Sequence, residues 1–155
     1  SNSKLNLNIS NYYPGNSEFF TTIFLPNKDT LTKIKSENDV VFRKKLISWK
    51  EKNEKTISIL FPYAPENNKK SVYRYKSNLL MEMTEIKHNV TTATYIFSYN
   101  SKGNVASYNK YNGNGTETEY AKFIYESGNE ILQAILIKEI ATNNLEIKKF
   151  NYTYY

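Results

Sequence analysis

Apolar and polar positions alternate with a period of two along most of the chain. In "VTTATYIFSY" the residues Ala93, Tyr95, Phe97 and Tyr99 share one face, as successive side chains of a strand point to opposite sides. "EFFTTIFLP" separates Phe19, Thr21, Ile23 and Leu25 from Phe20, Thr22 and Phe24, and "TISILFPY" groups Ile57, Ile59 and Phe61. Turn-formers interrupt these runs at short intervals: "YPGN", "LPNKD", "PENNKK", "KHN", "NSKGN", "NGNG", "SGN" and "ATNN". Gly and Asn tolerate the positive φ of tight hairpins, and Asn closes turns through its own side chain. Parallel strands need crossovers of a dozen or more residues, and few gaps are that long. The pattern predicts an all-β antiparallel meander of about ten to twelve short strands in one domain, 1–155. A sheet of that many strands is expected to twist, and to curl or partly close.

One segment carries both periods. "SENDVVFRKKLISWKEKN", within 36–52, fits a short helix with Ser36 as N-cap, Asp39 three residues on, and a stripe of Phe42, Leu46 and Trp49. The β-branched and aromatic start "DVVF", and the alternation of Ile47 and Trp49, favour a strand instead. "ILQAILIKEI" is apolar on both faces, with Ile131, Ile135 and Ile137 against Leu132, Leu136 and Ile140. Such a strand requires cover on both sides.

A longer repeat lies over this rhythm. "YRYKSNLL", "FSYNSKGNV", "FIYESGNEI" and "FNYTYY" place central tyrosines at Tyr75, Tyr99, Tyr125 and Tyr152, at intervals of 24, 26 and 27 residues. That interval holds two strands and two turns, so the repeat is read mainly as a way of building a sheet. Over roughly Tyr73 to Tyr155 it resembles the YD repeat of secreted bacterial proteins and of small periplasmic or outer-membrane lipoproteins of Bacteroidetes-like bacteria. The Asp of that unit is replaced by Lys76, Asn100 and Glu126, and only Gly103-Asn104 and Gly128-Asn129 match its turn closely. The resemblance implies an extracytoplasmic scaffold and no particular activity.

Composition narrows the chemistry. Fourteen Tyr and eight Phe supply apolar area to a chain that is otherwise modestly hydrophobic. Without cysteine there are no disulfides, thiolate metal sites or cysteine nucleophiles. A net charge of +6 raises the question of nucleic acid, yet the lysines are spread along the chain and the densest run, Arg43 to Lys45, is short, so no nucleic-acid partner is expected. No apolar run approaches the roughly 18 residues of a membrane span, and a lipid anchor before Ser1 is compatible with the resemblance.

Few residues invite catalysis. His88 is the sole histidine and falls in the turn "KHN", so neither a metal site nor a histidine-based triad is expected. Glu117 and Glu119 are expected on one strand face, about 6.8 Å apart at 3.4 Å per residue, a separation of interest for sugar cleavage, but they follow a glycine-rich tip and read as solvated edge residues. "YNGNGTE" lacks the spacing and Lys of a phosphate loop, and no calcium loop or cofactor motif occurs. Asn8, Asn89, Asn114 and Asn151 open glycosylation sequons of the kind an Asn- and Thr-rich chain contains by chance. The binding candidates are aromatic: Trp49, Tyr108 and Tyr111. The expected function is a non-enzymatic, extracytoplasmic, envelope-associated domain that engages a protein or glycan partner or serves as scaffold. The alternatives are a glycan-binding module or a hydrophobic-ligand carrier.

Overall fold

Twelve strands follow one another in chain order, each antiparallel to the one before it and hydrogen-bonded to it. The computed structural model describes the backbone of 9–12, 19–24, 30–35 and 41–153 apart from 129, and the side chains of 41–153 with the same exception. The strands are β1 (Ile9–Tyr12), β2 (Phe19–Phe24), β3 (Thr30–Lys35), β4 (Val41–Lys50), β5 (Glu54–Leu60), β6 (Lys69–Lys76), β7 (Leu79–Lys87), β8 (Val90–Tyr99), β9 (Val105–Asn112), β10 (Glu117–Tyr125), β11 (Leu132–Glu139) and β12 (Leu145–Lys149). A single 3-10 turn, Pro65–Asn67, lies between β5 and β6. The second half of the ambiguous segment is therefore strand, and the Ser36 and Asp39 caps lie outside the described residues, as do the "YPGN" and "LPNKD" turns, Asn8 and the side chains of "EFFTTIF". β1 and β12 occupy opposite edges and are not hydrogen-bonded to each other, so the sheet is not closed.

Turn chemistry sets the hairpins. Ser77-Asn78 and His88-Asn89 each have two consecutive positive φ angles, the requirement of a tight two-residue hairpin, met here without glycine. Asn100 and Asn112 close longer loops at opposite ends of the sheet. Asn100 Oδ1 accepts the amides of Lys102 and Asn104, and Asn112 Oδ1 those of Asn114 and Thr116, all at 3.0 Å. Asn100 stands where the YD unit has Asp, and its side-chain oxygen makes the turn.

Very little is fully buried. Among the described residues only Val72, Ala93, Ala121 and Thr84 are, and no element lies over either face. Among the described residues the sheet is thus one layer thick, and the apolar β11 has only its neighbouring strands for cover. Ile135, Leu136 and Ile137 remain half-buried. Cohesion must come from the hydrogen-bond ladders and from cross-strand pairs, each worth roughly 0.2 to 1 kcal/mol.

The repeat tyrosines supply a further tie. Tyr99 Oη donates to Leu80 O at 2.6 Å, Tyr125 Oη to Val105 O at 2.8 Å and Tyr152 Oη to Leu132 O at 2.8 Å. Each acceptor stands opposite the tyrosine of the preceding unit: Leu80 pairs with Tyr75, Val105 with Tyr99 and Leu132 with Tyr125. The register shifts immediately before Tyr75, Tyr99 and Tyr125, and each time the extra residue, Met81, Ala106 or Gln133, bulges from the partner strand. The repeat is a chain of staples along one end of the sheet.

Candidate binding face

Cross-strand register assembles one row over eight strands: Trp49, Lys55, Tyr73, Met83, Tyr95, Lys110, Glu119 and Glu139, on β4 to β11 in order. At about 4.8 Å per strand the row spans about 34 Å. Phe97, Tyr108, Ala121 and Ile137 form a second, shorter row on the same face. Alternation in each strand selects these residues, and the hairpin turns bring them level.

Two aromatic clusters result. On β8 to β10, Tyr108 is the hub, with ring centroids 5.8 Å from Tyr95, 6.0 Å from Phe97 and 6.2 Å from Phe123. Ala121 fits beneath as a small residue between Tyr108 and Ile137. On β4 to β6, Trp49 lies 5.9 Å from Tyr75, and Lys55 Nζ sits over both Trp49, at 5.6 Å, and Tyr73, at 5.2 Å. Met83 on β7 joins the clusters, since it pairs with Tyr73 on one side and Tyr95 on the other.

Polar groups border the rings. Tyr108 Oη donates to Glu119 Oε1 at 2.6 Å, and Lys110 Nζ lies 5.4 Å from the Tyr95 ring. Burial pushes the Tyr108 hydroxyl well above its ordinary pKa, and its hydrogen bond to Glu119 and that carboxylate's charge push it further. A shallow cleft of about 290 Å³ continues past Lys110 and Glu119 to Glu139 and Glu146. Apolar centre with polar margin is the anatomy of a recognition surface.

The aromatic candidates do not converge. Trp49, 36% exposed, and Tyr108 share this face but stand on β4 and β9. Tyr111 points to the opposite face, level with Thr94 and Glu117. The expected pairing of Glu117 with Glu119 also fails, because the register shifts between them and turns their side chains to opposite faces. Glu117 accepts from Asn109 Nδ2 at 2.7 Å, whereas Glu119 is held by Tyr108. His88 is exposed in its turn, with Nε2 3.0 Å from Glu66 O. Among the described residues no group of three or more His, Cys, Asp or Glu is placed to hold a metal ion.

Sequence reasoning missed Lys55, Tyr73, Met83, Tyr95 and Lys110. Their signal was parity, since each falls in the inward frame of its strand once the hairpins are aligned.

No family model matches the chain, and no curated protein matches it significantly. Among solved structures it is similar to TarM, in one case a point mutant of S. aureus TarM in complex with Fondaparinux, alpha-GlcNAc-glycerol and UDP. Both have a TM-score of 0.29 at 12% identity, with 81% and 82% of this chain covered. The chain spans 20% of the length of each. Likeness at that level supports no inference about fold or function.

Proposed function

We propose that the chain is a non-enzymatic, extracytoplasmic scaffold module that engages a protein partner through the face bearing Tyr95, Phe97, Tyr108 and Phe123. The observation that carries this reading is the face of a one-layer sheet on which a row about 34 Å long sets Trp49, Tyr73, Met83 and Tyr95 among Lys55, Lys110, Glu119 and Glu139, beside the Phe97, Tyr108, Ala121 and Ile137 row, with no described element covering it. The extracytoplasmic placement rests on the resemblance of the Tyr99 and Tyr125 units to the YD repeat. Ring geometry favours protein over glycan. Sugars stack on flat, parallel rings, whereas Tyr95 and Phe123 meet Tyr108 edge to face, at 63° and 61°.

Site-specific photocrosslinking in the producing cell tests this. A benzoylphenylalanine at Phe97 is expected to give discrete protein adducts, while one at Ile96, exposed on the opposite face, gives none. Equal adducts from both positions, or none from Phe97, refute the reading. Quenching of Trp49 fluorescence by a neutral oligosaccharide would transfer the face to a glycan.

A further inference from the structure

The net positive charge of the chain arises in one stretch. Residues 41–90 contain eleven Lys and Arg against five Glu, whereas both 1–40 and 91–155 are formally neutral, so the whole excess of +6 lies in β4 to β7 and their loops. Arg74 is bound to Glu54 at 3.1 Å and to Glu82, so those two carboxylates are engaged by Arg74. The strands alternate in direction, so the start of β4, the end of β5, the start of β6 and the end of β7 meet at one rim. Arg43, Lys44, Lys45, Lys69, Lys70 and Lys87 gather there, and none makes an ion pair among the described residues.

Register shows their arrangement. Lys45 and Lys69 both pair with Ile59, which puts them on one face about 10 Å apart, and Lys44 pairs with Leu60 on the other face, where Lys70 also lies. A cleft of about 320 Å³ opens at the same rim, lined by Asn68, Lys69, Lys70, His88 and Asn89 among others. Asn68 Oδ1 is engaged by Phe61 N, so its amide NH2 is left as a donor. Among the described residues, Glu66 and Glu85 are the carboxylates nearest this end of the strands, too few to offset six cations.

We infer that this rim binds a flexible linear polyanion, with one oxyanion seated in the cleft between Lys70 and His88 and its neighbours on Lys44, Lys45 and Lys69. Repeating phosphate or sulfate groups are the matching chemistry. No aromatic ring lines the cleft, so the site has no platform for nucleobases. The site lies on different strands from the Tyr108 cluster and does not depend on the protein-partner reading.

The test uses the full chain, fluorescently labelled, titrated with long-chain inorganic polyphosphate and separately with dextran sulfate at several salt concentrations; whichever binds more tightly identifies the source chemistry. K44Q/K69Q/K70Q is compared with K122Q/K138Q/K149Q, which removes the same charge from the neutral region. The rim variant is expected to lose about tenfold or more in affinity at low salt. Its slope of log K against log salt should fall by about two, at roughly 0.7 per lost contact. The control should lose less than threefold. Matching circular dichroism melts exclude unfolding as the cause. Equal losses in both variants, absence of binding to either polymer, or tenfold tighter binding of a single-stranded DNA of equal charge would each overturn the assignment.

Discussion

Replacement of the repeat tyrosines by phenylalanine removes one hydrogen bond at a time and keeps each ring. Tyr99 and Tyr125 are half-buried and donate at 2.6 and 2.8 Å to carbonyls beyond the last ladder pair with the neighbouring strand, Glu82 with Ile96 and Ser107 with Lys122. A hydrogen bond of this kind contributes a net of about 1 kcal/mol, and more if the orphaned carbonyl is not rehydrated. Tyr152 is exposed, so about 0.5 kcal/mol is expected there. Tyr99 and Tyr125 stand on β8 and β10, about 10 Å apart, and their hydroxyls bond different carbonyls, those of Leu80 and Val105, so the effects of removing them should add. The triple variant should then lose about 2.5 kcal/mol. Urea unfolding followed by circular dichroism measures this, and with a slope of about 2 kcal/mol/M each of Y99F and Y125F moves the midpoint by about 0.5 M. Y120F is the control, since no hydrogen bond of the Tyr120 hydroxyl occurs among the described residues. If Y99F and Y125F shift the midpoint no more than Y120F, the staples contribute nothing and the repeat must act through its turns alone.

Three further outcomes follow from named contacts. N100A should cost about 1 to 2 kcal/mol by removing two hydrogen bonds from backbone amides, and N100D, which keeps the acceptor, should be close to wild type in the same urea assay. G113A should destabilise by about 1 to 3 kcal/mol, since an added Cβ would collide with the Thr91 carbonyl oxygen, a backbone atom that cannot rotate away; thermal unfolding compared with wild type reads the loss. Folded Tyr108 holds its proton beyond the ordinary value of 10.0, so above about pH 10 the unfolded chain binds fewer protons than the folded one and stability falls. That contribution is complete below pH 10. Y108F should accordingly lose less stability between pH 9 and 11 than wild type, and an identical pH profile for the two would refute it.

Local chemistry was the most legible level. Period-two alternation and Asn-rich turns specify the antiparallel meander because each hairpin forms between adjacent segments, and the "KHN" turn at His88 emerged as read. The strand at Val41–Lys50 was harder, since Phe42, Leu46 and Trp49 form a helical stripe while Ile47 and Trp49 alternate as in a strand, and only cross-strand pairing with β3 and β5 decides between them. Single-residue irregularities were illegible. The bulge between Glu117 and Glu119 inverts a carboxylate without a Gly or Pro at the bulge to announce it, and the bulges at Met81, Ala106 and Gln133, opposite the repeat tyrosines, are equally unannounced. Charge density was hidden for a different reason. Lys44, Lys69 and Lys87 are remote in sequence, and only the reversal of strand direction gathers them at one rim. Tyr111 was misjudged as a companion of Tyr108 for want of parity, since three residues along a strand change face.

Because each strand is bonded only to its predecessor and successor, the sheet responds to force anisotropically. Tension applied along a strand would load a whole ladder of hydrogen bonds in shear. Tension applied across the sheet, from the β1 edge toward the β12 edge, would instead open one ladder at a time, a pair of bonds at each step. Such a molecule yields at low force and extends in increments of single strands, so that it behaves under load as a tether that lengthens gradually.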